Sequence, residues 1–241
     1  MTRTVIFDGH DLSDVVDVGV PNIGALASRT TYETVPGRNG KVVTGHTWDS
    51  FNIELMVYAH GTPDECREAL SRLGMWLDVD EPKRLVLPDW SDRQWLAMPD
   101  GDVPLARYVG DESGKLRFVV TDPIAYGARR GVTVPSGGSA SFLVGGTYKT
   151  VPRIVGTVTR DASSHQWGIR LDEGDYLHVE IGVSSAVALT LDCGECTCTV
   201  GGSVSLPTLS SDWLELSPGY HTLRNDLGSG SVSVTWEERW L

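Results

Sequence analysis

The stretch FNIELMVY, which runs from Phe51 to Tyr58, decides the fold because its side chains alternate with a strict period of two. The odd-numbered positions are all apolar, and the positions between them hold Asn52, Glu54 and Met56 before Tyr58. Alternation of this kind is typical of a β-strand that buries one face and leaves the other partly exposed. The stretch therefore predicts a half-buried strand at the centre of a β-rich first domain.

Turn signals on both sides of that stretch predict further strands. Upstream, Asp8-Gly9 and Asn39-Gly40 are two-residue hairpin turns of the kind that requires positive φ. Residues 11–20 alternate in polarity as far as Pro21, and they predict another strand. Downstream, a turn is predicted over 88–93, and short apolar runs predict strands at 85–87, 94–97 and 115–120.

One helix interrupts the strands. The segment Thr62-Pro63-Asp64-Glu65 offers a capping threonine, a proline at the first helical position and a glutamate three residues after the cap. These features mark the start of a helix. Apolar side chains then recur three or four positions apart, at Cys66, Ala69, Leu70, Leu73 and Leu77. The spacing predicts a helix over about 62–78 with one stripe facing the core.

The second half of the chain has no helical periodicity and repeats short apolar runs between turns. Strands are predicted at 139–144, 152–158, 166–171, 175–181, 186–192, 196–200, 213–216, 220–224 and 231–237. Short strands at this spacing indicate a β-sandwich. A stretch rich in small residues over 131–146 suggests a boundary at its start. The sequence therefore predicts two domains, 1–130 and 131–241.

Composition and charge exclude several classes of function. Of the 241 residues, 40% are hydrophobic and 22% are charged, which is a globular composition. Lys and Arg number 20 against 32 Asp and Glu, so the net charge is −12. That charge argues against a surface that holds DNA, RNA or anionic lipid. The sequence shows neither a signal-peptide core nor an apolar run of membrane-spanning length, and we expect folding in a reducing cytoplasm with no membrane association.

The four cysteines make a poor disulfide framework for a chain of this length. Three of them form a C-x-x-C-x-C pattern, but no second pair follows to complete a four-ligand zinc site. We favour a two-residue turn at Gly194-Glu195, which would set Cys193 opposite Cys196. Cys196 and Cys198 would then share one face of a strand, where small apolar thiols pack well. A metal site and a labile disulfide between Cys193 and Cys196 stay open as alternatives.

No spacing in the sequence matches a catalytic or cofactor-binding motif. The acidic groups Asp78-Val79-Asp80-Glu81 and Asp100-Gly101-Asp102 lack the twelve-residue calcium loop with its closing glutamate. No H-E-x-x-H, G-x-S-x-G or phosphate-loop spacing occurs. We therefore expect no enzyme, no cofactor and no bound metal.

Eight tryptophans are the remaining candidates for contact surfaces, since tryptophan brings a large apolar area and one hydrogen-bond donor. Core packing is expected for most of them, including Trp236. Trp90 lies beside charged residues in a predicted turn, so it is the best candidate for an exposed partner contact. The candidates for a carbohydrate contact in the second domain are Trp167, Tyr176 and Trp213.

Six segments follow one another in a distinctive order: Phe7-Asp8-Gly9-x-Asp11-Leu12-Ser13, Val35-Pro36-Gly37-Arg38-Asn39-Gly40, Asp89-x-x-Asp92-Arg93-x-Trp95-x-Ala97, Thr121-Asp122-Pro123-Ile124-Ala125-Tyr126, Gly146-Thr147 with Val151-Pro152-Arg153-Ile154, and Leu216-Ser217-Pro218-Gly219-Tyr220-His221-Thr222-Leu223. In order and spacing they resemble the distal tail protein family of long-tailed, siphovirus-type bacteriophages. The resemblance covers the chain from end to end.

The resemblance implies a mainly β fold: a tail-tube-like β-sandwich or barrel with one α-helix, followed by a galectin-like or carbohydrate-module-like β-sandwich. It further implies a structural protein, made in the host cytoplasm, that forms a hexameric ring hub at the virion tail tip and lines the channel through which DNA passes. The partners that it implies are further copies of the chain, the major tail tube protein, the tail-associated hub protein, the tape measure protein and receptor-binding proteins.

Two other functions compete with this one. A carbohydrate-binding protein for host-surface adhesion would act through the second β-sandwich, and it would need two or three exposed aromatic residues on one sheet face or in one groove. A glycosidase would need a pair of carboxylates at a suitable separation. The sequence demonstrates no such pair, so the enzyme hypothesis is disfavoured.

Overall fold

Residues 4–24, 26–59, 61–101, 114–172 and 174–241 are described by a computed structural model of the chain. Over these residues the chain forms β-strands, one α-helix and one short 3₁₀ helix, which confirms the predicted mainly β fold. It divides into two units, Met1–Ala125 and Tyr126–Leu241, and the predicted boundary after residue 130 falls inside the strand that connects them. In the described chain no helix has the length and apolar character needed to cross a lipid bilayer.

The first unit is built from antiparallel strands and one helix. Its described elements are β1 (Ile6–Phe7), β2 (His10–Asp11), β3 (Asp17–Val18), β4 (Asn22–Ile23), β5 (Ser28–Glu33), β6 (Val42–Trp48), β7 (Phe51–Tyr58), α1 (Pro63–Leu77), β8 (Lys83–Leu87), β9 (Trp90–Pro99) and β10 (Gly114–Val120). The strands β9, β10, β7 and β3 lie side by side, and β8 pairs with both β9 and β1.

The first hairpin is the predicted one. β1 pairs with β2 across a turn in which Asp8 and Gly9 have φ values of 47° and 82°. Positive φ at both positions matches the right-handed twist of the strands. The long strand predicted over 11–20 is wrong, because Asp11 Oδ1 accepts hydrogen bonds from the amide and hydroxyl of Ser13 at 2.9 and 2.6 Å. Such local bonds compete with strand pairing, and a 3₁₀ turn over Leu12–Asp14 results.

β7 has the alternating burial that its sequence predicts, with every odd-numbered side chain buried. It lies between β10 on one side and β3 and β4 on the other. Ile53 of β7 pairs with Phe118 of β10, and the Phe118 ring packs on Phe7 with the ring centroids 4.9 Å apart. All three side chains are fully buried. The aromatic contact therefore joins the first hairpin to the central strands in one core.

The helix α1 has the predicted capping box. The Thr62 hydroxyl accepts a hydrogen bond from the Glu65 amide at 3.3 Å, and the Glu65 carboxylate accepts one from the Thr62 amide at 2.7 Å. The Thr62 hydroxyl also donates to this carboxylate at 2.9 Å, and the hydrogen bonds from the Thr62 amide and hydroxyl hold the pKa of Glu65 below its usual value. The buried stripe of the helix consists of Cys66, Leu70, Leu73 and Leu77. The sequence signals at the start and along one side of the helix are thus both confirmed.

The turn predicted over 88–93 is shorter in the structure. Only Pro88-Asp89 remains a turn, and β9 begins directly after it at Trp90. A register shift between β8 and β9 then accommodates residues 91–93. All three residues are polar, with Ser91 and Asp92 exposed and Arg93 half-buried, so they show no period of two in the sequence although they belong to a strand.

The second unit is a sandwich of two antiparallel sheets, as predicted. Its strands are β11 (Ala125–Val134), β12 (Ser139–Val144), β13 (Arg153–Val158), β14 (Gln166–Leu171), β15 (Tyr176–Glu180), β16 (Val187–Asp192), β17 (Thr197–Val200), β18 (Ser203–Ser205), β19 (Gly219–Leu227) and β20 (Val232–Trp240). One sheet has the order β18-β17-β16-β13-β20-β11, and the other has the order β12-β19-β14-β15. Buried side chains from both sheets, among them Ile154, Ile169, Leu223 and Val234, share one core.

Most strands predicted for this unit are present, and one is wrong. Residues 213–216 form no strand, and Leu216 makes an isolated bridge to Thr150 with backbone hydrogen bonds of 2.7 and 2.8 Å. Leu214 and Leu216 are both buried, so the alternation there reflects burial of an irregular segment rather than strand pairing. Neither β11 nor β18 is predicted from the sequence, and β18 is a short edge strand whose Val204 is 86% exposed.

Replacing the cap residue tests the helix assignment. Thr62→Ala removes the hydroxyl that accepts from the Glu65 amide, and we expect it to lower the free energy of unfolding by about 1 kcal/mol. Chemical denaturation followed by circular dichroism measures this change. Ser71→Ala, on the exposed side of α1, is the control and should be neutral or slightly stabilising because alanine has the higher helix propensity. Equal stabilities for Thr62→Ala and the wild type would contradict the capping role.

Candidate functional site

One element of the first unit extends outside its core. We call it the hairpin arm, and it consists of β5, β6 and the connecting residues 34–41. In the described structure β5 and β6 pair only with each other. Ten of their thirteen residues are exposed, and the other three are partly exposed. An isolated two-stranded hairpin is at best marginally stable in water, so the hairpin arm is expected to gain stability from a partner surface.

The tip of the hairpin arm is the PGRNG segment, residues 36–40. The sequence predicts a two-residue turn at Asn39-Gly40, but the connection is longer and spans every residue between the two strands. Gly37 and Gly40 have φ values of 81° and 84°, which side chains other than glycine rarely adopt. The Arg38 amide donates a hydrogen bond to the Val35 carbonyl at 3.1 Å. The glycines therefore determine how the arm reverses direction.

The two faces of the hairpin arm differ in character. Cross-strand pairing places Tyr32 beside Val43 and brings His46 and Trp48 onto the same face. On this face, which we call the aromatic face, Tyr32 is 54%, Val43 57% and Trp48 38% exposed. The opposite face carries the polar side chains of Arg29, Thr31, Glu33 and Thr47. The arm thus presents its aromatic side chains on one side, while the other side is mostly polar.

Contacts within the hairpin arm orient these side chains. The rings of His46 and Trp48 meet edge to face with centroids 5.4 Å apart, and Lys41 Nζ lies 5.6 Å from the centre of the Tyr32 ring. At the base of the arm, Arg29 pairs with Asp49 at 2.8 Å. The hydrogen bond from Arg29 holds the pKa of Asp49 below its usual value. These contacts keep the rings on the surface of the arm, where a partner can reach them.

Trp90, the predicted partner contact, is a surface residue. Its side chain is 38% exposed, and its ring meets Trp95 edge to face with centroids 5.9 Å apart. Trp95 is only 8% exposed. Trp90 therefore packs at the edge of the core with part of its ring exposed to solvent. Its role in binding a partner stays a prediction.

The residues predicted to contact carbohydrate do not form one surface. Trp167 is completely buried in the core of the second unit, so its assignment as a carbohydrate contact is wrong. Alternation along β14 sends Trp167 to the same side as Ile169 and Leu171, and that side faces the other sheet. Trp213 packs against the same core and is only partly exposed. Tyr176 remains on the surface of β15, half-buried.

The sheet β12-β19-β14-β15 carries polar side chains on its outer face, the face that points away from the shared core. Cross-strand pairs align one row over the four strands, consisting of Ser139, Arg224, Arg170 and Tyr176. Beside this row the face forms a depression that we call the polar trough, lined by Ser139, Arg170, Asp172, Thr222, Arg224 and Asp226. The lining residues come from separate segments of the sequence, and none of them is a predicted site residue.

A glycine makes room for the histidine that contacts Asp226 of the polar trough. Gly168 of β14 pairs with His178 of β15, and a Cβ atom at Gly168 would overlap the His178 ring. The His178 ring occupies the space that a side chain at position 168 would need, and its Nε2 lies 3.1 Å from Asp226 Oδ2. The same oxygen accepts a hydrogen bond from Arg170 at 3.2 Å. The His178 and Asp226 side chains are 13% and 20% exposed, so this group is held in place.

The second carboxylate of the polar trough, Asp172, is also held by two contacts. Asp172 Oδ1 accepts a hydrogen bond from the Thr222 amide at 2.7 Å, and Oδ2 lies 2.8 Å from His221 Nδ1. The Asp172 amide in turn donates to the Thr222 carbonyl at 2.8 Å. Both carboxylate oxygens are engaged, so Asp172 forms a fixed part of the wall.

The cysteine hairpin differs from the prediction. β16 ends at Asp192 and β17 begins at Thr197, so the turn between them holds four residues rather than two. The Asp192 carboxylate accepts hydrogen bonds from two amides of the turn, at 3.1 and 3.2 Å, and closes it. Cys196 is exposed in this turn, whereas Cys198 is buried in β17. The prediction that they share one face of a strand is therefore wrong.

All four cysteines are free thiols, so the structure contains no Cys193–Cys196 disulfide. Burial raises the pKa of Cys193 to about 12 and also raises the pKa of Cys198. Protonated, buried thiols are poor nucleophiles. Within the described ranges, no three or more His, Cys, Asp or Glu side chains are grouped so that they could hold a metal ion. Asp102, part of the acidic segment Asp100-Gly101-Asp102, lies outside the described residues.

Thiol labelling tests this arrangement. We expect maleimide at neutral pH to modify only Cys196 in the native protein and all four cysteines after unfolding, because the other three are buried. Peptide mass spectrometry identifies the modified positions. Cys196→Ser is the control and should abolish native labelling. Modification of Cys193 before Cys196, or a native mass two hydrogens lighter than the reduced chain, would contradict the structure.

Comparisons with known families match both units. Residues 8–120 match the model of a phage tail protein RIFT-related domain, and residues 145–240 match that of a siphovirus-type tail component, C-terminal domain. Each match lies within one of the two structural units. The boundary between the two structural units therefore falls between the two matched family models, each of which describes one domain.

A relative and a solved structure each match most or all of the chain. The chain is 26% identical over 233 residues to the distal tail protein of Bacillus phage SPP1, and the alignment covers 91% of this chain and 89% of that protein. The crystal structure of SPP1 Dit, a paradigm of hub adsorption apparatus in phages that infect Gram-positive bacteria, matches with a TM-score of 0.78 and 20% identity over all of both chains. At that identity the structural likeness establishes the fold.

Proposed function

The chain belongs to the distal tail protein family of siphovirus-type bacteriophages, and we propose that it forms a hexameric ring that serves as the hub at the tail tip. As a member of this family it is a structural component of the virion tail. The observation that most supports a ring is the hairpin arm, whose aromatic face is exposed and is covered by no strand in the described part of the chain.

A closed ring needs a heterologous interface, in which one patch of each subunit meets a different patch of the next. The hairpin arm suits this role because it carries Tyr32, Val43 and Trp48 outside the core, and aromatic side chains contribute strongly to interfaces. The open edges of β5 and β6 can also add a strand to a neighbouring sheet. In this proposal each arm packs on the next copy, and six repeats of the contact close the ring.

The ring would connect the parts of the tail on either side of it. We propose the major tail tube protein as its neighbour on one side and the tail-associated hub protein on the other, with the tape measure protein and receptor-binding proteins as further partners. Family membership supports these partners, and the exposed edge of Trp90 offers a contact for one of them. The role is purely structural, since closing a ring and joining two assemblies require no covalent chemistry.

The opening of the ring would form part of the channel through which DNA leaves the particle. A net charge of −12 on each chain supports passage without binding, because acidic side chains repel phosphates. In this proposal DNA is a transient passenger of the ring, not a ligand.

Mass photometry and negative-stain electron microscopy of the purified full chain test the ring. We expect particles of six subunits with a central hole. Combining Tyr32→Ala with Trp48→Ala should convert them to single subunits, because both rings lie on the aromatic face. Neither side chain belongs to the core of the unit, so the double variant should lower the stability of the subunit by only about 1 kcal/mol.

The matched control for this experiment is Tyr220→Ala, which removes an exposed aromatic ring from the second unit. It should leave the rings intact. Rings that persist in the double variant would show that the arm is not the interface. A wild-type chain that stays a single subunit at high concentration, and also when mixed with the major tail tube protein, would overturn the ring itself.

A gel-shift experiment tests the acidic channel. We expect the assembled ring to form no complex with short double-stranded DNA at low salt, where non-specific phosphate contacts are strongest. A basic DNA-binding protein serves as the positive control on the same gel. A stable complex that dissolves on addition of salt would contradict a channel that repels phosphates.

A further inference from the structure

The polar trough in the second unit has no role in ring formation as proposed. It is an open depression with a volume of about 600 Å³, which lies in the size range of small-ligand sites. We propose that the polar trough binds a neutral saccharide. Arg224 and Asp226 hydrogen-bond to its hydroxyl groups, and Tyr220 packs against the apolar face of a sugar ring.

Arg224 supplies the free donors of this site. It lies directly opposite Arg170 on the paired strand, and like charges in that position destabilise a sheet. Arg170 is compensated by Asp226 at 3.2 Å, whereas Arg224 forms no ion pair with any other residue that the structure describes. The exposed Arg224 guanidinium therefore donates to no carboxylate of the described residues. Its five N–H groups are available to donate hydrogen bonds to a ligand.

Asp226 supplies the matching acceptor. Both of its protein donors, Arg170 and His178, contact the same oxygen, Oδ2. Oδ1 receives no hydrogen bond from the described residues and can accept one from a ligand. Arg224 and Asp226 both line the polar trough, and the register of β19 against β14 shifts at Asp226. A free donor and a free acceptor in one depression suit hydroxyl groups, because each hydroxyl both donates and accepts.

The charges of the site favour a neutral ligand over an anion. The lining contains two arginines and two aspartates, so its formal charges cancel. A phosphate or carboxylate in the polar trough would lie beside Asp172 and Asp226, and it would approach a chain whose net charge is −12. A sugar gains the same hydrogen bonds from Arg224 without this repulsion.

An exposed apolar platform adjoins the polar trough. Tyr220 and Leu143 are direct cross-strand partners on the outer face, 83% and 54% exposed. Tyr220 is two residues from Thr222 of the lining, so it lies next to the trough along β19. The C–H groups on one face of a sugar ring pack favourably on the electron-rich face of an aromatic ring. The outer face thus combines a stacking surface with convergent polar groups, which is the usual composition of a ligand site.

This site differs from the one that the sequence suggested. Trp167 and Trp213 belong to the core and cannot provide the platform. Tyr176 is on the outer face, but the Arg170 guanidinium lies 5.7 Å from the centre of its ring and covers it. Tyr220 takes the role of the aromatic platform because its ring is the more exposed of the two.

Binding of the labelled full-length chain to an oligosaccharide array tests the proposal. The array carries neutral oligosaccharides of hexoses, deoxyhexoses and N-acetylhexosamines, together with matched compounds that bear a uronate or a phosphate. We expect binding to at least one neutral compound. Isothermal titration with that compound should then give a dissociation constant raised about tenfold or more in Tyr220→Ala and in Arg224→Ala. Both residues are exposed, so the variants are expected to fold.

Two exposed residues of the same unit provide controls. Leu209→Ala removes an apolar side chain outside the outer face, and Arg153→Ala removes an arginine from the other sheet. Both should bind with an unchanged dissociation constant. The ring-defective Tyr32→Ala and Trp48→Ala double variant should also keep the same single-site constant, which separates failure of this proposal from failure of the ring. Binding to no neutral compound, preference for the anionic ones, or full affinity in both outer-face variants would overturn it.

Discussion

Antiparallel strand pairing forces successive side chains to opposite faces of a sheet, and the architecture of both units depends on this constraint. In the first unit it lets β7 bury Ile53 against the core while its even-numbered side chains stay outside. In the second unit it sends Trp167 into the core and Arg170, three residues later on the same strand, to the outer face. The same alternation therefore supplies apolar burial for stability and a separate surface for binding.

Periodicity and local signals in the sequence predicted much of this fold. The period of two along β7 and the capping box at Thr62 both have a local cause, and the structure contains both. Predictions failed where an aspartate side chain bonds to nearby amides, as Asp11 does before the 3₁₀ turn and Asp192 does in the cysteine turn. Such bonds replace strand pairing without altering the apolar pattern. The burial of Trp167 was deducible, since Ile169 and Leu171 share its face of β14.

The candidate sites were harder to predict because they depend on register. Arg170 and Arg224 become neighbours only when β14 and β19 pair as they do, and no short-range pattern marks that pairing. The sequence predicted a hairpin for the hairpin arm, but it did not predict that the arm pairs with no core strand among the described residues. An arm of this kind carries a physical cost, because unpaired strand edges and exposed aromatic rings promote aggregation. A ring in which each arm is covered by the next copy would remove that cost in the assembled tail.

Assembly and saccharide binding would then depend on different parts of one chain. The hairpin arm belongs to the first unit, whereas every residue of the polar trough comes from the second. A shallow site with few polar contacts binds a single sugar unit weakly, but each copy in a ring presents its own trough. Several weak contacts to one surface raise the effective affinity far above that of any single site. Ring formation would therefore convert weak recognition by each subunit into stable attachment, without adding any contact to the trough itself.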